Sequence, residues 1–142
     1  MERLSLRRVN GMSSLTPREL VNVLVDVDAR GFLATFDLGD PFPLEDLAEW
    51  FTYGIALTAR DGALLKQFAV RFSGTQTAAF IFDFPSATQA NYDATHVDDN
   101  GASVVVWFPD SSLGTAAIGS VIGFGTVNGD DVSADVPVQL LQ

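Results

Sequence analysis

The chain contains no cysteine, which excludes disulfides, thiolate metal sites and a cysteine nucleophile. It has a single histidine, His96, and no G-x-S-x-G surrounds any serine, so a hydrolase triad has one base to draw on and no nucleophile elbow. Positive charge is absent from the second half. Residues 72–142 carry no Lys or Arg against 8 Asp, whereas residues 1–71 carry all 8 Lys and Arg against 10 Asp and Glu. With a net charge of −10, a polyanion is repelled, which argues against a nucleic-acid partner. No apolar run approaches the ~20 residues of a membrane span, because Gly, Thr, Ser or Asp interrupts each one. The N-terminal MERLSLRRVNG has basic residues with no apolar segment behind them, so it does not read as a signal peptide.

What is present is apolar and aromatic: 47% hydrophobic residues and 11 Phe in 142 residues, enough for one domain with a packed core. The organising stretch is Trp50 to Phe84, three alternating runs separated by short turns. Phe51, Tyr53, Ile55 and Leu57 share one face of the first run. Arg60-Asp61-Gly62 turns the chain, since Asp-Gly tolerates the positive φ of a tight hairpin. Phe68, Val70 and Phe72 face inward in the second run. After Ser73-Gly74, Ala78, Phe80, Phe82 and Phe84 are expected to form the third inward face.

Upstream, Val21, Val23, Val25 and Val27 alternate, and Asp28-Ala29-Arg30-Gly31 closes a hairpin onto Phe32, Ala34, Phe36 and Leu38. Thr16-Pro17-Arg18-Glu19 carries the signature of a capping box, and Leu44 to Trp50 fits a short helix. Downstream, Ser86 to Asn91 reads as a polar connection. Tyr92 to Val97 and Ala102 to Phe108 read as strands, with Val104, Val106 and Phe108 opposite Val105 and Trp107. Ile118 to Val127 is a glycine-rich strand, and Val132 to Val138 the last. The expected fold is all-β: an antiparallel two-sheet sandwich of eight or nine strands with at most one or two short helical turns. Residues 1–15 form an arm or an edge strand, and residues 16–142 a single domain.

The succession from Trp50–Tyr53 through FAVRF, TAAFIFDF, TQANYD, VVVWFP and a Gly-rich strand to DDVSADVP resembles DOMON-like sandwiches, themselves similar to family-9 carbohydrate-binding modules. The resemblance covers roughly residues 20–138 and lies in strand order and spacing. It implies an extracytoplasmic module that binds a sugar or a haem, although MERLSLRRVNG does not read as a leader. The haem version transfers poorly, because such sites use Met and His ligands and the only candidates are Met1, Met12 and His96.

Four acidic clusters sit in turns: Asp26/Asp28, Asp37/Asp40, Asp98/Asp99/Asn100 and Asn128/Asp130/Asp131. Turns are made of such residues, and none of the clusters follows an EF-hand spacing. Asp98, Asp99, Asn100, Asp130 and Asp131 nevertheless offer the oxygens that a structural calcium ion requires. The spacing of the carboxylates does not separate a glycosidase pair from solvated turns. Gly123 to Gly129 has the wrong spacing for a dinucleotide loop, and no helix follows it. The candidate ligand platforms are Trp107, Tyr92 and Trp50, because a flat ring beside polar neighbours suits a saccharide. Several strands are apolar on both faces, which fits either doubly buried strands or a subunit interface. The sequence reading is a non-catalytic binding module for a saccharide or other small ligand. The alternative is a homo-oligomeric structural subunit of shell or virion type, whose arm of net +2 over residues 1–8 reaches a neighbour.

Overall fold

The computed structural model describes residues 20–38, 50–73, 76–99, 103–110, 112–114, 118–128 and 130–141. The expected N-terminal arm, the capped turn at Thr16, the helix from Leu44 and Asn100 lie outside them. The strands are β1 (Leu20–Val27), β2 (Phe32–Leu38), β3 (Trp50–Ala59), β4 (Leu64–Ser73), β5 (Gln76–Asp83), β6 (Thr88–Tyr92), β7 (Val97–Asp99), β8 (Ser103–Phe108), β9 (Ile118–Val127) and β10 (Asp130–Leu141). Short 3-10 turns occupy Ala94–His96 and Ser112–Gly114.

The fold is all-β, as expected, but its architecture differs in two respects. The ten strands form one continuous curled sheet in the order β6-β5-β4-β3-β9-β10-β1-β2-β8-β7, instead of two separate sheets of eight or nine strands. The pairing is also not wholly antiparallel. β10 is long enough to serve both limbs: Asp130 to Pro137 pair with β9, and Val138 to Leu141 pair in parallel with β1. Bulges between Asp131 and Ser133 and between Ser133 and Val136 bend the strand where it changes partner.

The curl closes one face on itself. Phe32 of β2 and Phe108 of β8 meet Phe68 of β4, with ring centroids 5.0 Å and 5.6 Å from Phe68 and 5.2 Å from each other. All three are fully buried, and each contributes roughly 1.5–3 kcal/mol through apolar burial. Alternation delivers these faces directly: Phe51, Tyr53, Ile55 and Leu57 on β3, Phe68, Val70 and Phe72 on β4, Phe32, Ala34, Phe36 and Leu38 on β2, and Val104, Val106 and Phe108 on β8 are all buried. At the expected hairpin, Gly62 adopts φ 89° and Asp61 Oδ1 accepts from the Ala63 amide at 2.9 Å. Asp28 Oδ1 likewise accepts from the amides of Arg30 and Gly31, fixing the β1–β2 turn.

β5 faces the other way from expectation. Ala79 pairs with Val70 and Ile81 with Phe68, so Ala79 and Ile81 are buried while Ala78, Phe80 and Phe82 turn outward. Partner register, and not side-chain bulk, sets the face of a strand that is apolar on both sides. The polar stretch read as a connection is strand β6, paired with β5 from Ala79↔Tyr92 to Asp83↔Thr88. The strand read over Tyr92–Val97 is instead the end of β6, a 3-10 turn capped by Asp93, and the start of β7.

Candidate functional site

The inversion of β5 builds a groove on the outer face of the β6-β5-β4-β3-β9 limb. Cross-strand register aligns Phe124, Gly54, Ala69, Phe80 and Asn91 in one row across the five strands. A parallel row runs Ile122, Ala56, Gln67, Phe82 and Gln89. On the other side lie Thr126, Thr52, Arg71 and Ala78. Small residues at the centre of the first row sink the middle of the face. A Cβ at Gly54 would stand 2.4 Å from the Phe124 ring and 2.7 Å from the Phe68 carbonyl, so only glycine lets that ring lie across β3. The concavity, about 510 Å³, is lined by Trp50, Thr52, Gln67, Arg71, Phe80 and Phe124 among others, with Ala134 and Asp135 at its rim.

Arg71 is the cation of this face. Its guanidinium lies 4.8 Å from the Trp50 ring centroid and 5.7 Å from that of Phe80. Among the described residues no carboxylate or carbonyl pairs with it, so its N–H groups remain available to a ligand while the two rings fix its position. No carboxylate occurs in the three rows, although the chain has 18. Asp135 at the rim adopts φ 53°, in the second β10 bulge, a conformation that Asp tolerates better than most residues. Thr52 is 5% exposed, and its Oγ1 is buried without a hydrogen-bond partner. A buried hydroxyl left unpaired costs about 1–3 kcal/mol.

The three aromatic candidates stand apart. Trp50 lies in the groove, half-buried. Tyr92 packs against the core and tilts over His96, with centroids 4.8 Å apart. His96 Nδ1 donates to the Trp107 carbonyl oxygen at 3.1 Å, which ties the 3-10 turn to β8 and gives the one histidine a structural role. Trp107 is on the opposite limb, on the outer face beside Leu33, with its ring over Gly31. Arg71 and Thr52 were not singled out by sequence, Phe80 was read as facing inward and Phe124 as part of a face for self-association, because their common groove depends on register between four strands.

The acidic candidates are not brought together. Asp98 and Asp99 lie on edge strand β7, and Asp130 and Asp131 at the start of β10, with β1, β2 and β8 between the two strands in the sheet. Among the described residues no group of three or more His, Cys, Asp or Glu is placed to hold a metal ion.

A second, smaller concavity of about 230 Å³ lies by Leu57, Leu65, Lys66, Asp83, Pro85 and Ser112. Lys66 Nζ donates to Asp110 Oδ2 at 2.6 Å and to Ser112 Oγ at 2.9 Å. Burial pushes the Asp110 carboxyl up, but hydrogen bonds from Lys66 and Ser112 outweigh it and hold the group below the usual carboxylate range. An ammonium paired with both a carboxylate and a hydroxyl is a clamp that fastens the segment after β8 to β4.

Protein-family models, curated proteins and solved structures give no match to this chain. Among the described residues no helix is long and apolar enough to cross a membrane. What the groove can do follows from its chemistry: three rings supply apolar surface, while Arg71, Gln67 and Thr126 supply donors and acceptors around a floor kept low by Gly54 and Ala69.

Proposed function

We propose that this chain is a non-catalytic binding module that takes a saccharide in the outer groove of the β6-β5-β4-β3-β9 limb. A sugar ring presents C–H faces that stack on aromatic rings and hydroxyls that both donate and accept, and the groove offers both kinds of contact side by side. The observation that carries the reading is Arg71, held between Trp50 and Phe80 and, among the described residues, without a carboxylate partner. The resemblance to DOMON-like sandwiches suggests the same class of ligand. Isothermal titration against a panel of soluble glycans tests it: at least one should bind, and Trp50→Ala and Arg71→Ala should each lower the affinity about tenfold or more. Wild-type affinity in both variants would sink the assignment of the groove.

A second reading rests on the other limb. Leu33 is 42% and Leu141 40% exposed, and both lie on the outer face of the β10-β1-β2-β8 strands with Leu24, Val105 and Trp107. Such a face suits contact between copies of the chain. Light scattering separates the readings: a discrete oligomer broken by Leu33→Asp supports assembly through this limb, and a 15.2 kDa monomer does not.

A further inference from the structure

The two central rows of the groove do not stop at the Arg71 cluster. Both continue across β5 to edge strand β6, the first through Phe80 to Asn91 and the second through Phe82 to Gln89. Gln89 and Asn91 are exposed, and Gln89 Nε2 donates to Asn91 Oδ1 at 2.7 Å. That bond orients the pair and leaves the Asn91 amide N–H groups and the Gln89 carbonyl oxygen to act outward, a donor and an acceptor side by side. Such a pair matches neighbouring sugar hydroxyls, which offer the same two capacities.

Five strands at about 4.8 Å spacing make the face roughly 19 Å wide from β9 to β6, much longer than one sugar ring. The β9 end is bounded by the bulged β10 segment that carries Asp135, whereas among the described residues the β6 end has no further strand beside it. Among the described residues the face carries no carboxylate along this path, which would otherwise compete for Asn91 and Gln67 as hydrogen-bond donors.

We infer that the groove is the first part of an extended site whose second subsite is formed by Phe82, Gln89 and Asn91, and that its ligand is a linear oligosaccharide lying across the strands. This rests on the saccharide reading and deepens it. The chain enters from the open β6 edge and ends against Trp50 and Arg71. Short fragments fill only the Arg71 end, and longer ones gain the amide pair.

The test is calorimetry with xylan-, glucan-, mannan- and chitin-derived oligomers from disaccharide to hexasaccharide, on the intact chain and on Gln89→Ala/Asn91→Ala. Both residues are exposed on an edge strand, and an unchanged thermal melt establishes that the variant is folded. In the wild type, affinity for the recognised series should rise about tenfold or more with length. In the variant that gain should vanish while disaccharide affinity stays within about twofold. Affinity independent of length, or equal loss for short and long oligomers, overturns the extended site and leaves the saccharide reading standing. Failure of every glycan to bind the wild type overturns the saccharide reading itself.

Discussion

Replacing Gly54 by alanine probes the groove where its shape is decided. The new Cβ would lie 2.4 Å and 2.6 Å from two Phe124 ring carbons and 2.7 Å from the Phe68 carbonyl oxygen. Restoring a contact of about 3.5 Å requires the ring to move by roughly 1 Å, which its side-chain torsions allow. The carbonyl belongs to β4, whose ladder with β3 holds it in place. Overpacking costs about 1–3 kcal/mol, and two simultaneous obstacles, one of them backbone, place Gly54→Ala near the upper end. Reduced freedom of the unfolded chain offsets about 0.4–1 kcal/mol, leaving a net loss of about 2 kcal/mol. The assay is urea unfolding of the wild type, Gly54→Ala, Phe124→Ala and the double variant. Removing the ring should relieve part of the Gly54→Ala cost, giving a coupling of about 1 kcal/mol, while the carbonyl contact persists. A single-variant loss under about 0.5 kcal/mol, or strict additivity in the cycle, would refute the packing of Phe124 across Gly54.

Other consequences are open to measurement. Thr52→Val removes a buried oxygen that has no partner among the described residues, so the protein should gain about 1 kcal/mol in chemical denaturation; a loss of stability would mean that the hydroxyl is satisfied. The Lys66–Asp110 pair should shape the acid limb of stability. Because Asp110 titrates lower folded than unfolded, its contribution is fully present above about pH 4 and lost as pH falls through the lowered folded value. Asp110→Asn should therefore cost about 1–3 kcal/mol at neutral pH and approach the wild type in strong acid, whereas parallel stability curves would contradict the clamp. Trp107→Ala should leave glycan binding untouched, since that ring covers Gly31 on the opposite limb, and lost affinity would place the site there instead.

Much of the fold was legible because one period-two pattern dominated. In β2, β3, β4 and β8 an alternating set of large apolar residues lies on one side, and the curl buries that side, while Leu33, Trp50 and Trp107 turn outward. β5 defeated the same logic: Phe80 and Phe82 outweigh Ala79 and Ile81, yet pairing with Val70 and Phe68 turns the smaller set inward. β6 escaped notice because Thr88, Gln89, Ala90 and Asn91 are exposed at an edge, where no apolar alternation is required. β10 was read as shorter than it is. Asp130 and Asp131 read as part of the turn after Val127, and Gln139 to Leu141 are held by a parallel pairing with β1 that joins segments more than a hundred residues apart. The site shared this fate. Trp50 was recognisable as a ring at a strand end, whereas Arg71, Phe80 and Phe124 become neighbours only through register across four strands.

The two tryptophans lie on opposite limbs, which makes the central claim directly observable. In a proton–nitrogen NMR titration with the glycan that calorimetry selects, the Trp50 indole and Arg71 side-chain signals should move with ligand while the Trp107 indole stays still. Movement at Trp107 with Trp50 unchanged would contradict the account.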